Sequence, residues 1–333
     1  MRRRACRSAI EGTETMIKTT IRQTAAFTAR NIKLFFKDKG ALIGALISPL
    51  ILFMLYVLFL HGVLTDSFAM NLPEGFKLSD KLMDGYVAVY EVASIISVSC
   101  VTVAFVANMC MVSDRVTGAR IDLTVAPVKP RVLMLGYYFA TAIVTLTVCL
   151  TALAVGFVYI AVMGWSIPVA DGFLIIFDVV LGVLFGTALS SIVCYFLKSN
   201  GAVSAVCTIV SAVYGFISGA YYPIAQFSSG MGNFVMCLPW TYCTGLFRTH
   251  FMCGYGSAFA EAGLPSETVD GMLKALDAKM FFFGGEVPVW AMYTIVICAT
   301  VVLVGIFIAL NALHGKRKNK AAKTPPAPVA TAE

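Results

Sequence analysis

Long apolar runs without charge alternate along this chain with short charged segments. A helix that crosses a bilayer needs about 20 largely apolar residues, and a charge at its centre costs about 2.5–3.5 kcal/mol on insertion scales. Residues 41–60 (ALIGALISPLILFMLYVLFL) form one such run and 92–113 a second. A third, 132–170, ends at Trp165 and Pro168, an interface residue and a turn residue. Residues 172–197 are interrupted only by Asp178, 199–247 carry no charge at all, and 287–313 make the last run. The pattern predicts spans over 41–61, 87–112, 133–163, 172–197, 201–222 and 287–313.

Composition agrees. Of 333 residues, 59% are apolar and 13% charged, and mean hydropathy is +0.84; soluble domains hold about 45–50% and 25%. These values exclude a disordered chain, a basic nucleic-acid-binding domain and an ordinary cytosolic enzyme. The net charge of +7 is then a question of topology. Of the 25 Lys and Arg, 20 lie before Ala41, in the 114–131 loop, at Lys198 or in the tail after His314. Placing all of these in the cytoplasm puts both termini inside and makes the span count even. The long run 199–247 therefore divides into one span, 201–222, and a broken, re-entrant element, 224–247. Gly219, Pro223, Gly230, Gly232 and Pro239 supply the breaks. The outer loops, 62–86 and 248–286, are acidic on balance.

The expected fold is an all-α membrane protein with six transmembrane helices in residues 40–314, multi-pass in the plasma membrane. Residues 1–16 form a basic extension with no apolar signal region. Met16 is an alternative start, because MIKTTIRQTAAFTARNIKLFFKD reads as a self-contained opening. Residues 17–39 predict an amphipathic interface helix. Ile17, Ile21, Ala25, Thr28, Ile32, Phe35 and Phe36 recur at helical spacing, with Arg30, Lys33 and Lys37 among the basic residues largely opposite. Such a helix is either a lipid anchor or a mechanical element. Residues 315–333 are a basic tail.

Catalytic and metal-binding patterns are missing. There is no C-x-x-C, no H-E-x-x-H and no G-x-S-x-G, and the ten cysteines are scattered in apolar runs. Cys237, Cys243 and Cys253 cluster on the outer side, where one disulfide among them is an open alternative. No G-x-x-x-x-G-K-[ST] occurs, so this chain cradles no ATP phosphates by that motif. Glu91 and Asp178 are the two ionisable groups inside spans. Either they are hydrated positions near the outer span ends, or they are polar groups on a substrate or proton path.

The 113–131 segment, SDRVTGARIDLTVAPVKPR, mixes charges with spaced apolar residues and closes at Pro127 and Pro130. It is either a plain connector or a short helix over 113–127 docked on a partner. It resembles the cytoplasmic loop of ABC-2-type transporter permeases at Asp114, Arg115, Gly118, Leu123 and Pro127. Asp114 stands where family members often have Glu, and Leu123-Thr124 where a Leu pair is common. A second stretch, FISGAYYPIAQFSSGMGNFVMCLPWTYCTGLFR, resembles the family's late segment at Ser218, Gly219, Pro223, Pro239, Thr241, Tyr242 and Arg248. There Trp240 replaces the usual Leu.

The resemblance implies the permease subunit of an ATP-driven exporter in the drug-efflux-like branch. Asp114, Arg115, Gly118, Arg120, Asp122, Leu123 and Pro127 would couple it to a separate ABC ATPase that binds ATP and Mg. This chain itself would hold no cofactor. A second permease subunit and membrane lipid would be the other partners, with no nucleic acid. The uninterrupted apolar lining favours a hydrophobic or amphiphilic small molecule or lipid as cargo. A lipid-linked surface polysaccharide is the alternative, and a proton-coupled carrier a further one.

Overall fold

The computed structural model describes residues 2–69, 78–119 and 130–323. Within these, helix α1 covers Arg2–Lys37 and α2 covers Lys39–Leu55. Asp38 separates them. Its backbone is extended (φ −81, ψ 96) and its Oδ1 accepts from the Ala41 amide at 3.1 Å, so it caps a new helix. Pro49 lies inside α2 and removes one ladder hydrogen bond. A π turn, Tyr56–Leu60, follows and leads into α3, His61–Ala69.

The central helix is α4, Asp80–Val116. It is followed by α5 (Pro130–Met163), α6 (Val169–Phe196) and α7 (Asn200–Ile217). A single 3-10 turn at Ile224–Gln226 and the short α8, Ser229–Met236, precede α9, Pro239–Glu261. Helix α10 (Ser266–Ala275) and a hairpin of β1 (Phe281–Phe282) and β2 (Gly285–Glu286) lead to α11, Val289–Lys323. Phe281 pairs with Glu286 in that hairpin. Among the described residues, six helices are long and apolar enough to cross a membrane: Lys39–Asp66, Asp80–Val116, Arg131–Met163, Val169–Phe196, Asn200–Ile217 and Val289–Leu313. The expected all-α, six-span architecture is what the structure has.

Within lipid, helices gain little from burying apolar groups against each other, so close packing and polar contacts hold them. Helix α4 follows this rule. It touches α2, α5, α6, α7 and α9, and its face is rich in Ser, Ala, Thr and Val. A Cβ at Gly186 of α6 would collide with the Cys100 carbonyl, so glycine is what lets α6 lie against α4. Ser97 meets Thr244 at 2.6 Å. Asn108 donates to Ser190 at 2.6 Å and accepts from Thr141 at 3.1 Å, joining α4, α6 and α5. The first, fifth and sixth membrane-length helices are far less covered and expose Phe59, Ile209 and Val301.

Residues 224–261 depart from the sequence-based boundaries. Helix α9 runs unbroken across the expected border at 247/248, and α4 begins inside the expected outer loop 62–86. Arg248 looks like a loop charge in the sequence. In the fold it is buried and paired with Asp277, so it does not mark contact with water, and His250 two residues on is buried against Asp178. Tyr86 explains the early start of α4: it is fully buried, with its ring against Phe68 and Phe259.

Candidate functional site

Two polar knots lie at opposite ends of the bundle. The first is at the end that carries the start of α2 and the end of α4. Asp114, in the last turn of α4, is 7% exposed. It accepts from Arg30 of α1 at 2.9 Å and from the Tyr137 hydroxyl of α5 at 2.7 Å. The Arg30 guanidinium also reaches Asn31 Oδ1 at 2.8 Å and lies 5.5 Å from the Phe27 ring centre. Phe27 in turn meets Tyr137 edge-on at 4.9 Å and covers Gly136. Arg115, the next residue, donates to the carbonyls of Cys194 and Tyr195 at the end of α6, at 3.3 and 2.9 Å. Four helices therefore meet at two consecutive residues. Gly118, with φ +80, stops α4 just beyond them. Arg120, Asp122, Leu123 and Pro127 lie outside the described residues.

Only the later part of the expected apolar face of the interface helix packs on the bundle: Thr28, Ile32 and Phe35 lie there, and Ala25 is exposed. Phe27, Thr28, Asn31 and Phe35 are buried against the bundle, while Ile17 and Ile21 are exposed. Phe35 sits in a small core with Ala45, Val103, Val144 and Val148. Phe36 points away, on the exposed side with Lys33 and Lys37. Adjacent helical positions lie about 100° apart, so Phe35 and Phe36 cannot share one surface.

The second knot is at the far end and centres on Arg248, which is 0% exposed. Its guanidinium donates to Asp277 Oδ2 at 2.6 Å, to Ser94 at 3.3 Å and to the Gly219 carbonyl, and it lies 4.5 Å above the Tyr90 ring. Asp277 also accepts from the amides of Ile224 and Ala225, at 2.6 and 2.8 Å. Burial pushes its carboxyl upward, and the Arg248 cation opposes that shift. The chain turns at Gly219 (φ +76), passes Pro223, and hangs from this pair. Pro239 opens α9 at its first turn, where no amide is needed. Thr241 and Tyr242 then donate back to the carbonyls of Val235 and Met236, at 2.8 and 2.7 Å, closing α8 onto α9.

The two carboxylates inside spans are neither exposed nor unpartnered. Glu91, 1% exposed, contacts His61 at 3.3 Å and accepts from Tyr159 at 3.0 Å. Asp178, 2% exposed, contacts His250 at 2.6 Å and accepts from Tyr293 at 2.7 Å. Each is closed off by a histidine and a tyrosine from other helices, which differs from the hydrated outer position considered for them. A separate cavity of about 240 Å³ between α2, α4 and α5 is almost wholly apolar, lined by Pro49, Phe53, Ile95, Val155 and their neighbours.

The sequence matches the family model of ABC-2 family transporter proteins over residues 65–312, more than half of its 333 residues. The chain belongs to the ABC-2 transporter family. It is thus a multi-pass membrane subunit of an ABC transporter. No curated protein matches it. The ABC-2 match takes in Asp114, Arg115, Tyr137 and the whole far-end knot, and it leaves out α1 with Arg30.

Of the residues singled out from the sequence, Arg30, Asp114 and Arg115 come together at one end of this ABC-2 protein, and Gly219 and Arg248 at the other. Tyr137, Tyr195 and Asp277 were not anticipated. Asp277 had a usable signal: an arginine at the end of a 49-residue uncharged run, 199–247, needs an acid from elsewhere. The nine cysteines whose side chains are described are free thiols, Cys237, Cys243 and Cys253 among them.

Proposed function

We propose that this chain is the permease of an ATP-driven exporter whose ATPase is a separate protein that binds ATP and Mg. In this reading the end with both basic termini is cytoplasmic, in keeping with the charge asymmetry. The ATPase presses on residues 113–127 and on α1, and two permease subunits form the pathway. The observation that carries the reading is the knot at Asp114 and Arg115. A loop that receives force must be attached rigidly to what it moves. Here the root of that loop is bonded to α1, α5 and α6 at once. Lys33, Phe36 and Lys37 on the exposed side of α1 suit an interface with anionic lipid or the ATPase. The turn from Gly219 through Pro223 to Pro239, with Thr241, Tyr242 and Arg248, forms a re-entrant element near the exit.

The cargo is a hydrophobic or amphiphilic small molecule or lipid. The almost wholly apolar cavity between α2, α4 and α5 supports that class over a glycan. Glu91 and Asp178, each sealed by His and Tyr, serve as bundle cross-links in this reading rather than as contacts for cargo. The test is purification of the chain with its ATPase from its own cell. Asp114→Ala is expected to leave the complex assembled while cutting substrate-stimulated ATP hydrolysis. Transport by the isolated chain under a proton gradient, without nucleotide, would overturn the reading.

A further inference from the structure

At the far end a cleft of about 480 Å³ opens between two walls. One wall is the turn and short helix from Ile224 to Met236, hung from Asp277 by two amide bonds. The other runs from Lys274 to the β1–β2 hairpin. Ile224, Met236 and Met280, all buried, make an apolar floor. Ser228, Ser229, Lys274 and Lys279 stand around it.

The distribution of charge singles this cleft out. Residues 248–286 hold three basic side chains, Arg248, Lys274 and Lys279, in a segment that is acidic on balance. Arg248 is consumed inside the fold by Asp277. The two remaining cations both line the cleft. Lys274 has no carboxylate within ion-pair distance among the described residues, and its ammonium lies 4.3 Å from the Phe281 ring centre. Lys279 meets Asp270 at 2.8 Å in an exposed pair, which is worth at most about 1 kcal/mol and yields to a better anion. The one carboxylate lining the cleft, Asp277, is already bonded by Arg248 and two amides. The Ser228 side chain, at the start of α8 on the cleft's edge, makes no capping bond.

We infer that this cleft takes the anionic head group of an amphiphile, a phosphate, sulfonate or carboxylate, with the adjoining methylenes on the Ile224–Met236–Met280 floor. The inference rests on the export reading above and narrows its cargo class. Such a molecule is either cargo at the exit or an anionic lipid of the bilayer.

The test is lysine footprinting of the full chain in nanodiscs of zwitterionic lipid, with no ATPase present. An amine-reactive ester labels the protein, and mass spectrometry reads Lys274, Lys279 and the exposed Lys81. Dodecyl phosphate is expected to slow labelling of Lys274 and Lys279 about tenfold and to leave Lys81 unchanged. Inorganic phosphate and the neutral dodecyl maltoside are expected to do neither. Lys274→Glu should raise the dodecyl phosphate concentration that protects Lys279 about tenfold. Protection by phosphatidylglycerol in the disc alone sustains the site and names bilayer lipid as its occupant; protection only by added amphiphile sustains it and names cargo. Equal protection by dodecyl maltoside, protection by inorganic phosphate, or no protection overturns the inference. No nucleotide enters the assay, so its failure is separate from a failure of the ATP-driven reading.

Discussion

Replacing Asp277 by Asn removes one negative charge from beside a guanidinium that no solvent reaches. The side chain keeps its shape and one carbonyl oxygen. The amide bonds to Ile224 and Ala225, now 2.6 and 2.8 Å, can therefore be retained in part. What is lost is the counter-charge of Arg248, which is 0% exposed. Breaking a buried pair from one side costs about 3–5 kcal/mol, because the remaining charge stays desolvated. The exposed Lys279–Asp270 pair is the internal control: Lys279→Gln should cost at most about 1 kcal/mol, although its bond, at 2.8 Å, is of similar length. Equilibrium unfolding in mixed micelles, followed by helical circular dichroism, measures both. Adding Arg248→Met to Asp277→Asn removes the stranded charge, so the double variant should be more stable than Asp277→Asn alone. Asp277→Ala adds a local signature. With their acceptor gone, the Ile224 and Ala225 amides should exchange about tenfold or more faster, while amides in the middle of α4 change only as global stability does. If Asp277→Asn costs no more than Lys279→Gln, the pair is not the support of the 219–226 turn.

The knot at the other end predicts smaller effects. Tyr137→Phe deletes one hydrogen bond to Asp114 and should cost about 1 kcal/mol, seen as faster proteolysis of α1 from the bundle; unchanged proteolysis would detach Tyr137 from that role. Arg30→Gln should act in the same direction and add little once Asp114 is already Ala, because both changes break the same contact. Gly186→Val drives a side chain into the Cys100 carbonyl and should cost about 1–3 kcal/mol or more in unfolding measurements. Gly62→Val, where an added Cβ meets nothing within 4 Å, should be tolerated. Gly118→Ala also meets no neighbour, but it must hold φ +80, so a loss of about 1 kcal/mol measures backbone strain alone; no loss would mean that the stop of α4 relaxes.

What the sequence made legible follows from one physical rule, that charge avoids lipid. Where charges have no partner the rule works, and the uncharged runs correspond to six membrane-length helices. Where a charge is neutralised inside the protein the rule misleads. Arg248 seems to end the apolar stretch at 247, yet α9 continues through it to Glu261. Its partner, Asp277, lies 29 residues away, beyond the reach of any local pattern. The same limit applies to α1. Its apolar spacing runs from Ile17 to Phe36, yet only Thr28, Ile32 and Phe35 of that series lie on the bundle, because a bundle contact is chosen by what lies opposite. Gly136 and Tyr137 offer a surface that only Phe27 and its helical neighbours meet. Asp114 and Arg115 were legible because a loop motif marks them, whereas Tyr137 sits in an ordinary apolar run and gains its role from one hydroxyl. A lone basic residue in an otherwise uncharged membrane segment is therefore better read as a demand for a distant acid than as a boundary. In 248–286, Arg248 finds that acid in Asp277 and Lys279 meets Asp270 only on the exposed surface, which leaves Lys274 as the cation whose role the fold itself does not supply.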